Sequence, residues 1–360
     1  MLKSFTPTEY ELELQSAEQL RQLLAEIPAV HDVSVEHEPT AFDRGIDLIV
    51  RFTVGDLPHA LVCEVKSSGQ PRHVREAVHH LKYVTSKFPT VMATPVFIAP
   101  YLSTESRLLC KEAGVGYLDL EGNSRLVFDK VFIERQVDSK PPVERRELKS
   151  LFKPKSAQVL RRLLREPSHA WKLVDLAEAA GVSLGHASNV RQALLVREWA
   201  IIEREGLRLT APDALIDHWR DHYEQPIGER ISAYTPLHGQ ALNKAIGAAA
   251  ERLGSQVMLA SFSAAQWLAP YGRTGTDYLY VDRAGYAALR EVMEIGPVTR
   301  GANLEITVMK DDGLFRDAIE PAPGVRTTSP LQTYLDLAAA GERGREAADH
   351  LRESGLEWPR

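Results

Sequence analysis

The chain has 360 residues, of which 44% are hydrophobic and 26% charged, and its formal net charge is −6. This length predicts two or three domains, and the composition excludes a disordered, collagen-like or disulfide-stapled chain. The negative charge argues against a general polyanion binder, and no apolar run approaches the roughly 18 residues that a membrane span needs. We therefore expect a multidomain α/β protein of the cytoplasm that does not enter a membrane.

Residues 1–137 alternate between helical and strand patterns. They begin with a helix in SAEQLRQLLAEI, three strands in DVSVEHE, IDLIVRFTV and HALVCEVKSS, and a helix in VREAVHHLKYVTSKF. A strand in PVFIAP follows, then a helix with a serine or threonine cap in STESRLLCKEAGV and closing strands in GYLDLEG and SRLVFDKVFIER. The order α-β-β-β-α-β-α-β predicts one α/β domain over these residues.

The third of these strands carries Glu64 and Lys66 on one face, because side chains alternate along a strand. Asp47 begins the preceding strand, so a hairpin between the two strands would bring its carboxylate beside Glu64. Asp47 and Glu64 together predict a Mg²⁺ or Mn²⁺ site, because Mg²⁺ usually takes one or two carboxylates and keeps several waters. Lys66 would orient a metal-bound water or offset the charge that develops on a phosphate.

Asp47, followed by Glu64-Val65-Lys66 on the next strand, resembles the PD-(D/E)XK nuclease superfamily. The resemblance covers roughly residues 10–135, and the order of elements agrees with that restriction-endonuclease-like fold. It implies metal-dependent phosphodiester hydrolysis, with Asp47 and Glu64 as metal ligands and Lys66 as the catalytic lysine. The chain departs from the superfamily name in one place, since Asp47 follows Ile46 and not a proline.

Other side chains of this domain are candidates for supporting roles. Glu18 is the candidate for the helical glutamate that sometimes completes such sites, and three residues beyond the lysine are candidates for phosphate contacts: Gln70, Arg72 and Arg75. Histidines follow at positions 73, 79 and 80, but adjacent residues on a helix face different ways, which argues against zinc there. The alternative is that Glu64 and Lys66 form a solvated ion pair and the domain binds DNA without cleaving it.

Residues 138–155 are rich in proline and charge and predict a linker. Helical patterns return in AQVLRRLLREP, KLVDLAEAAG and SLGHASNVRQALLVREW, and AIIEREGLRLT predicts a β-hairpin. Gly181 would end the second helix with a positive φ, and Ser183 would cap the third. This order predicts a winged helix-turn-helix domain over residues 156–225, with core positions at Leu184, Val190 and Leu194.

Residues 150–210 hold ten lysines and arginines against six aspartates and glutamates, a surplus of +4 in an acidic chain. In a helix-turn-helix the second helix enters the major groove, and arginines beside it reach phosphates. We therefore expect DNA contacts near the bases from Ser183, His186, Ser188, Asn189 and Gln192, and near the phosphates from Arg191, Arg204 and Arg208. A helical bundle or a protein-binding winged helix is the alternative.

Residues 230–360 mix helical patterns such as QALNKAIGAAAERLG with strand patterns such as LEITVMK, and predict a C-terminal α/β domain. Together with the preceding helices, the segments SAAQWLAPY, GAN and SPLQTYLDL resemble the AbiE-type antitoxin and transcriptional-regulator families of the type IV toxin-antitoxin class. The resemblance implies operator binding, autoregulation and a cognate toxin as partner. A homodimerisation or ligand-sensing domain is the alternative.

Two functions remain open from these patterns. In the first, the protein is a DNA-binding winged-helix regulator of the AbiE-antitoxin type whose nuclease-like domain helps to hold DNA. In the second, it is a Mg²⁺-dependent DNA endonuclease that its winged helix delivers to a site. The two functions place different demands on Asp47, Glu64 and Lys66, which only the second needs for chemistry.

Overall fold

A computed structural model describes residues 9–37, 46–88, 91–137, 141–252, 254–272, 274–293, 295, 298 and 300–356. The described residues form a mixed α/β structure, as the sequence predicts. The chain divides into a first unit, Met1–Arg146 with Leu195–Glu198, and a second unit, Glu147–Leu194 with Trp199–Arg360. No helix within the described ranges is long and apolar enough to span a membrane.

The first unit follows the predicted order of elements. These are α1 (Glu9–Ala25), β1 (Val30–His37), β2 (Leu48–Val54), β3 (Leu57–Val65), α2 (Pro71–Thr85), β4 (Met92–Ala99), α3 (Thr104–Glu112), β5 (Gly116–Asp119), β6 (Ser124–Phe128) and β7 (Val131–Arg135). The last predicted strand is in fact a hairpin, because the chain turns back at Asp129 with a φ of 48°. Ser103 caps α3 by accepting the Ser106 N–H, as predicted.

One sheet joins the strands from β1 to β7 in the order of the chain. β4 runs parallel to both β3 and β5, and the other neighbours are antiparallel. Alternation along the strands buries both faces, since Cys63 packs among residues of α1 whereas Val62 packs among residues of α2 and α3. Glu64 lies two residues from Val62 and so faces α2.

Helix α4 (Pro142–Leu151) occupies ten residues of the segment 138–155 that the sequence predicts as a linker. The prolines and charges of this segment obscure its helical pattern in the sequence. Its apolar stripe consists of Leu148 and Leu151, which are one turn apart and both buried. The segment therefore contains a helix with a packed face, and residues 138–140 lie outside the described part.

The next elements of the second unit are three helices and a hairpin: α5 (Pro154–Arg165), α6 (Leu173–Ala180), α7 (Leu184–Val196), β8 (Ala200–Ile202) and β9 (Leu207–Leu209). Gly181 ends α6 with a φ of 65°, and the Ser183 hydroxyl accepts the His186 N–H at 3.3 Å, so both predicted caps are confirmed. Val190 and Leu194 are buried as predicted. The prediction for Leu184 is wrong: it is 50% exposed, because the buried stripe of α7 begins one turn later, at Ala187.

The remainder of the second unit is built on a mixed sheet. Its elements are α8 (Pro212–Asp221), β10 (Gly228–Ala233), α9 (Gly239–Ala250), β11 (Val257–Leu259), α10 (Ser261–Leu268), β12 (Asp277–Val281), α11 (Arg283–Met293), β13 (Leu304–Met309), a 3₁₀ helix (Asp312–Asp317), β14 (Ile319–Ala322), β15 (Val325–Thr327), α12 (Pro330–Ala338) and α13 (Gly341–Gly355). The strands lie in the order β10-β13-β12-β11-β15-β14. The predicted α/β character of residues 230–360 is thus present in the structure.

Candidate functional site

The register of β2 and β3 brings Asp47 beside Glu64. Leu48 pairs with Cys63, and Asp47, just before β2, donates its N–H to the Cys63 carbonyl at 3.0 Å and accepts the Val65 N–H on Oδ2 at 2.6 Å, so Asp47 is bonded to both neighbours of Glu64. The charge of Glu64 acts on Asp47, which agrees with the two carboxylates lying close together. The hairpin expected from the sequence therefore forms and joins the two carboxylates.

Glu64 lies at the centre of this group and is 5% exposed. Its Oε1 lies 2.9 Å from Lys66 Nζ, and its Oε2 lies 3.1 Å from His80 Nδ1. A buried carboxylate is costly unless partners replace its hydration, and Lys66 and His80 supply two such partners. We call Asp47, Glu64, Lys66 and His80 the Glu64 cluster.

The sequence did not assign His80 to this cluster. At the sequence level, His80 was considered only as a zinc ligand, and the pattern argued against zinc at that position. Helix α2 packs on the face of the sheet that Glu64 occupies, with Ala77 and Leu81 buried against it. His80 adjoins this buried stripe, which is the signal that could have placed it near Glu64. Its Nε2 is buried and has no hydrogen-bond partner in the described part of the chain.

Asp47 is held by one oxygen only. Its Oδ2 accepts the Val65 N–H at 2.6 Å, and across the described ranges Oδ1 has no hydrogen bond. Burial raises the pKa of Asp47, although the Val65 N–H and the charge of Lys66 oppose the rise. One carboxylate oxygen is thus fixed to the backbone while the other remains open to a cation.

The pKa of Lys66 moves upward from its ordinary value. Burial by itself lowers this pKa, but the hydrogen bond and charge of Glu64, with the charge of Asp47, outweigh the burial. The side chain is 40% exposed and stays an ammonium group at neutral pH. It is therefore suited to stabilising negative charge and unsuited to accepting a proton.

Asp47 and Glu64 suit a Mg²⁺ or Mn²⁺ ion by their chemistry, because Mg²⁺ binds through one or two carboxylates and keeps its remaining waters. No cluster of three or more metal-binding side chains occurs in the described ranges. Glu64 already uses both oxygens, so an ion would replace one of its present contacts. The two carboxylates thus fit a site in which water supplies most of the ligands.

Among the acidic residues of α1, Glu9 contributes a minor charge effect at this site, whereas the sequence suggested Glu18. The charge of Glu9 acts on both Asp47 and Lys66. Glu18 is exposed and accepts a hydrogen bond from Gln22 at 3.0 Å. The sequence does not show which end of α1 lies near β2 and β3, so it could not distinguish Glu9 from Glu18.

The three predicted phosphate contacts beyond Lys66 are each engaged with a carboxylate of the first unit. Gln70 Nε2 donates to Glu144 at 3.1 Å, and Arg72 and Glu76 form an i,i+4 pair at 3.1 Å. Arg75 Nε lies 2.8 Å from Glu198. A phosphate would have to replace these contacts, which exposed side chains exchange readily.

The exposed face of α7 carries Asn189 and Gln192, one helical turn apart. Ser188 accepts a hydrogen bond from Arg191 Nη2 at 3.3 Å, and Ser183 serves as the cap. His186 differs from the expectation, because its Nε2 lies 3.1 Å from the Ser156 hydroxyl on α5. This contact directs the imidazole toward α5. Asn189 and Gln192 are then the amide side chains that project from the exposed face of α7.

The two arginines of the hairpin have different surroundings. Arg204 is exposed at the turn between β8 and β9. Arg208 lies beside Glu203, which directly follows β8, with Nη2 at 2.6 Å and Nε at 2.9 Å from Oε1. Arg204 is therefore available to a phosphate, whereas Arg208 is occupied by an internal carboxylate.

Comparison with known proteins identifies a relationship in the C-terminal part of the chain. The profile of a family described as "Transcriptional regulator, AbiEi antitoxin, Type IV TA system" matches residues 208–357. The predicted resemblance of this region to AbiE-type antitoxins is confirmed. The matched residues begin in β9 and extend through α13, so the first unit and α5–α7 lie outside them.

The other comparisons do not identify a further family or function for this chain. No curated protein matches the chain. A solved structure titled "Structure of EndoMS in apo form" is 18% identical and covers 29% of this chain, with a TM-score of 0.21. The match spans 45% of that structure, which is less than half of its length.

Proposed function

We propose that this protein is a DNA-binding transcriptional regulator of the AbiEi-antitoxin type. The match of residues 208–357 to a family of transcriptional regulators and antitoxins carries the proposal. A cognate toxin is the expected protein partner, since antitoxins are defined by the toxin that they oppose. The first unit would then contribute to holding DNA.

The elements that precede the matched region support DNA binding by a winged helix-turn-helix. Helix α6, the turn at Gly181 and helix α7 have the order of such a motif, and β8 and β9 follow as the wing. In this motif the second helix lies in the major groove. Asn189 and Gln192 would then read base edges, because an amide side chain makes a paired hydrogen bond with adenine.

The test is a measurement of sequence preference with the full-length protein. Fluorescence anisotropy would compare a duplex from the promoter of its own gene with a scrambled duplex, at two salt concentrations. The Asn189→Ala, Gln192→Ala double variant should lose the preference for the promoter duplex, while Gln240→Ala, which removes an exposed amide from α9, should keep it. An unchanged preference in the double variant would refute this mode of binding.

The Glu64 cluster favours a second candidate function, which is Mg²⁺- or Mn²⁺-dependent DNA endonuclease activity. A bound ion would supply Lewis-acid polarisation of the phosphodiester and would acidify a bound water. Asp47 would present Oδ1 to the ion while the Val65 N–H holds its other oxygen. Lys66 would offset negative charge on the phosphate, and His80 would hold the buried carboxylate of Glu64 in place.

Cleavage of labelled duplex, single-stranded and branched DNAs separates the two functions. The protein would be assayed with Mg²⁺, Mn²⁺ or EDTA beside Glu64→Ala and Lys66→Ala, with Glu76→Ala as a control that removes an exposed carboxylate of α2. A nuclease gives metal-dependent products that disappear in the first two variants only, while DNA affinity is retained. DNA binding without products in any metal would leave the cluster as part of a regulator.

A further inference from the structure

A cavity of about 340 Å³ lies within the second unit, bordered by α5, α8, the segment that follows α8 and the end of β13. Its walls include the aromatic rings of Phe152 and Trp219, which stack with centroids 5.5 Å apart and an interplanar angle of 10°. Leu314 and Ile227 add apolar surface. Small-molecule sites in proteins are typically roughly 300–1,000 Å³, mostly apolar, with a few polar groups that fix orientation.

The polar group of interest in this cavity is Arg161, which projects from α5 and is only 8% exposed. Its Nη2 donates to Gln332 Oε1 at 2.7 Å, and its Cζ lies 5.4 Å from the centre of the Trp219 ring. Its Nε is buried without a hydrogen-bond partner, and no carboxylate of the described residues forms an ion pair with it. Buried arginines are normally paired, because an isolated buried charge is costly.

The charges of Asp317, Asp336 and Asp311 act on the Arg161 guanidinium, that of Asp317 most strongly, but none of the three forms an ion pair with it among the described residues. Asp336 Oδ1 accepts hydrogen bonds from Tyr223, from Tyr280 at 2.9 Å and from Gln332 at 2.9 Å. Gln332 therefore links the Asp336 carboxyl group to the Arg161 guanidinium through its own side chain, and both tyrosines bind the same oxygen of Asp336. The guanidinium retains positive charge at the wall of an apolar cavity.

We propose that this cavity binds a small organic anion of the aromatic carboxylate class, with its carboxylate on Arg161 and its ring against the apolar wall. Lys153 and Lys310 also line the cavity and add positive charge. Two lining acids are engaged elsewhere, since Glu224 pairs with Lys149 at 2.9 Å and Asp311 Oδ1 accepts the Gly313 N–H at 2.8 Å. A planar fused ring matches both the volume of the cavity and its aromatic walls. The proposal is independent of DNA binding and of the Glu64 cluster.

The test compares two probes of the same shape, indole-3-acetate and its neutral amide, indole-3-acetamide, by titration calorimetry with the full-length protein. The acetate should bind with one site per chain and the amide about tenfold or more weakly, because only the acetate makes charge-assisted hydrogen bonds. Arg161→Met should reduce acetate binding to the level of the amide. The matched variant Arg162→Met should change nothing, since Arg162 pairs with Glu166 and stacks on Trp171 outside this cavity.

A second pair of variants keeps the test decisive if Arg161→Met does not fold. Ile227 is 64% exposed and lines the cavity, so Ile227→Trp should obstruct it and weaken acetate binding, whereas Ile202→Trp, at a 63% exposed position on β8, should not. Equal affinity for acetate and amide would overturn the proposal, and so would no heat with either probe at millimolar concentration. Acetate binding that survives Ile227→Trp unchanged would also overturn it.

Discussion

His80 Nδ1 lies 3.1 Å from Glu64 Oε2, so a histidine of α2 fixes the orientation of a buried carboxylate on the adjacent strand. The other oxygen of that carboxylate contacts Lys66 at 2.9 Å, and the side chain is held from both sides. Loss of a partner that orients a metal-binding side chain typically lowers metal affinity about 10–100-fold. In the proposed metal site, His80 would thus be a positioning residue for Glu64.

His80→Ala should weaken Mn²⁺ binding about 10–100-fold, as expected for loss of a group that orients a ligand. Paramagnetic resonance of free Mn²⁺ would measure the affinity directly, without an activity assay. His79→Ala is the matched control, because His79 is the exposed neighbour on the same helix. If both variants bind Mn²⁺ as the unchanged protein does, His80 has no positioning role.

Glu203→Gln should strengthen non-specific DNA binding, because it releases Arg208 from its ion pair on the hairpin. One freed phosphate contact should steepen the dependence of log affinity on log salt by about one. Anisotropy titrations over a range of salt concentrations would measure this slope. Glu205→Gln makes the same charge change at an exposed neighbouring position, and an equal effect in that variant would mean that only net charge matters.

Asp336 should make the stability of the second unit depend on pH. Burial raises its pKa to about 6, against the opposing hydrogen bonds from Tyr223, Tyr280 and Gln332. A carboxyl group with a raised pKa stabilises the folded state while protonated, so this contribution is complete below the ordinary value of 3.8 and is lost as the pH rises through about 6. The loss at neutral pH is about 3 kcal/mol, at about 1.4 kcal/mol per pKa unit.

Urea unfolding followed by tryptophan fluorescence measures this effect selectively, because all five tryptophans belong to the second unit. Asp336→Asn should remove most of the decrease in the free energy of unfolding between acid and neutral pH. Asp349→Asn, which changes an exposed carboxylate of α13, should leave the decrease in place. An unaltered pH profile in Asp336→Asn would show that other groups are responsible.

Gly181 and Gly185 should respond in opposite ways to replacement by alanine. Gly181 has a φ of 65°, which disfavours any side chain, and a Cβ there would also displace the Arg316 guanidinium, so Gly181→Ala should lower the free energy of unfolding by about 1 kcal/mol or more. A Cβ at Gly185, inside α7, meets nothing within 4 Å, so Gly185→Ala should raise this free energy by roughly 0.5–1 kcal/mol. The same fluorescence measurement gives both values, and destabilisation by both changes would contradict the backbone explanation.

Much of the first unit could be predicted because its signals are local. Strand alternation placed Glu64 and Lys66 on one face, and the apolar runs on either side of the turn set the register that brings in Asp47. His80 could not be assigned in this way, because its role depends on how α2 packs over the sheet. The choice of Glu9 over Glu18 depends on packing for the same reason.

In the second unit, features set by neighbouring residues could be predicted, whereas contacts between residues far apart in the chain could not. The caps at Gly181 and Ser183 follow from residue type alone, whereas the orientation of His186 depends on Ser156 in another helix. Arg161 and Gln332 are 171 positions apart in the chain, so no periodicity or spacing could join them. The buried polar contacts around the cavity are therefore visible only in three dimensions.

The strand order of the first unit has a consequence for biosynthesis. Across the described strands, β1 to β7 lie side by side in the order in which a ribosome makes them. Each new strand can add to an edge that already exists, and no early strand waits for a late one to insert beside it. Four of the six pairings are antiparallel and join strands that are consecutive in the chain, and domains generally fold as units in the order in which they are synthesised. The sheet that carries the Glu64 cluster can therefore be complete while α5 to α8 are still being translated.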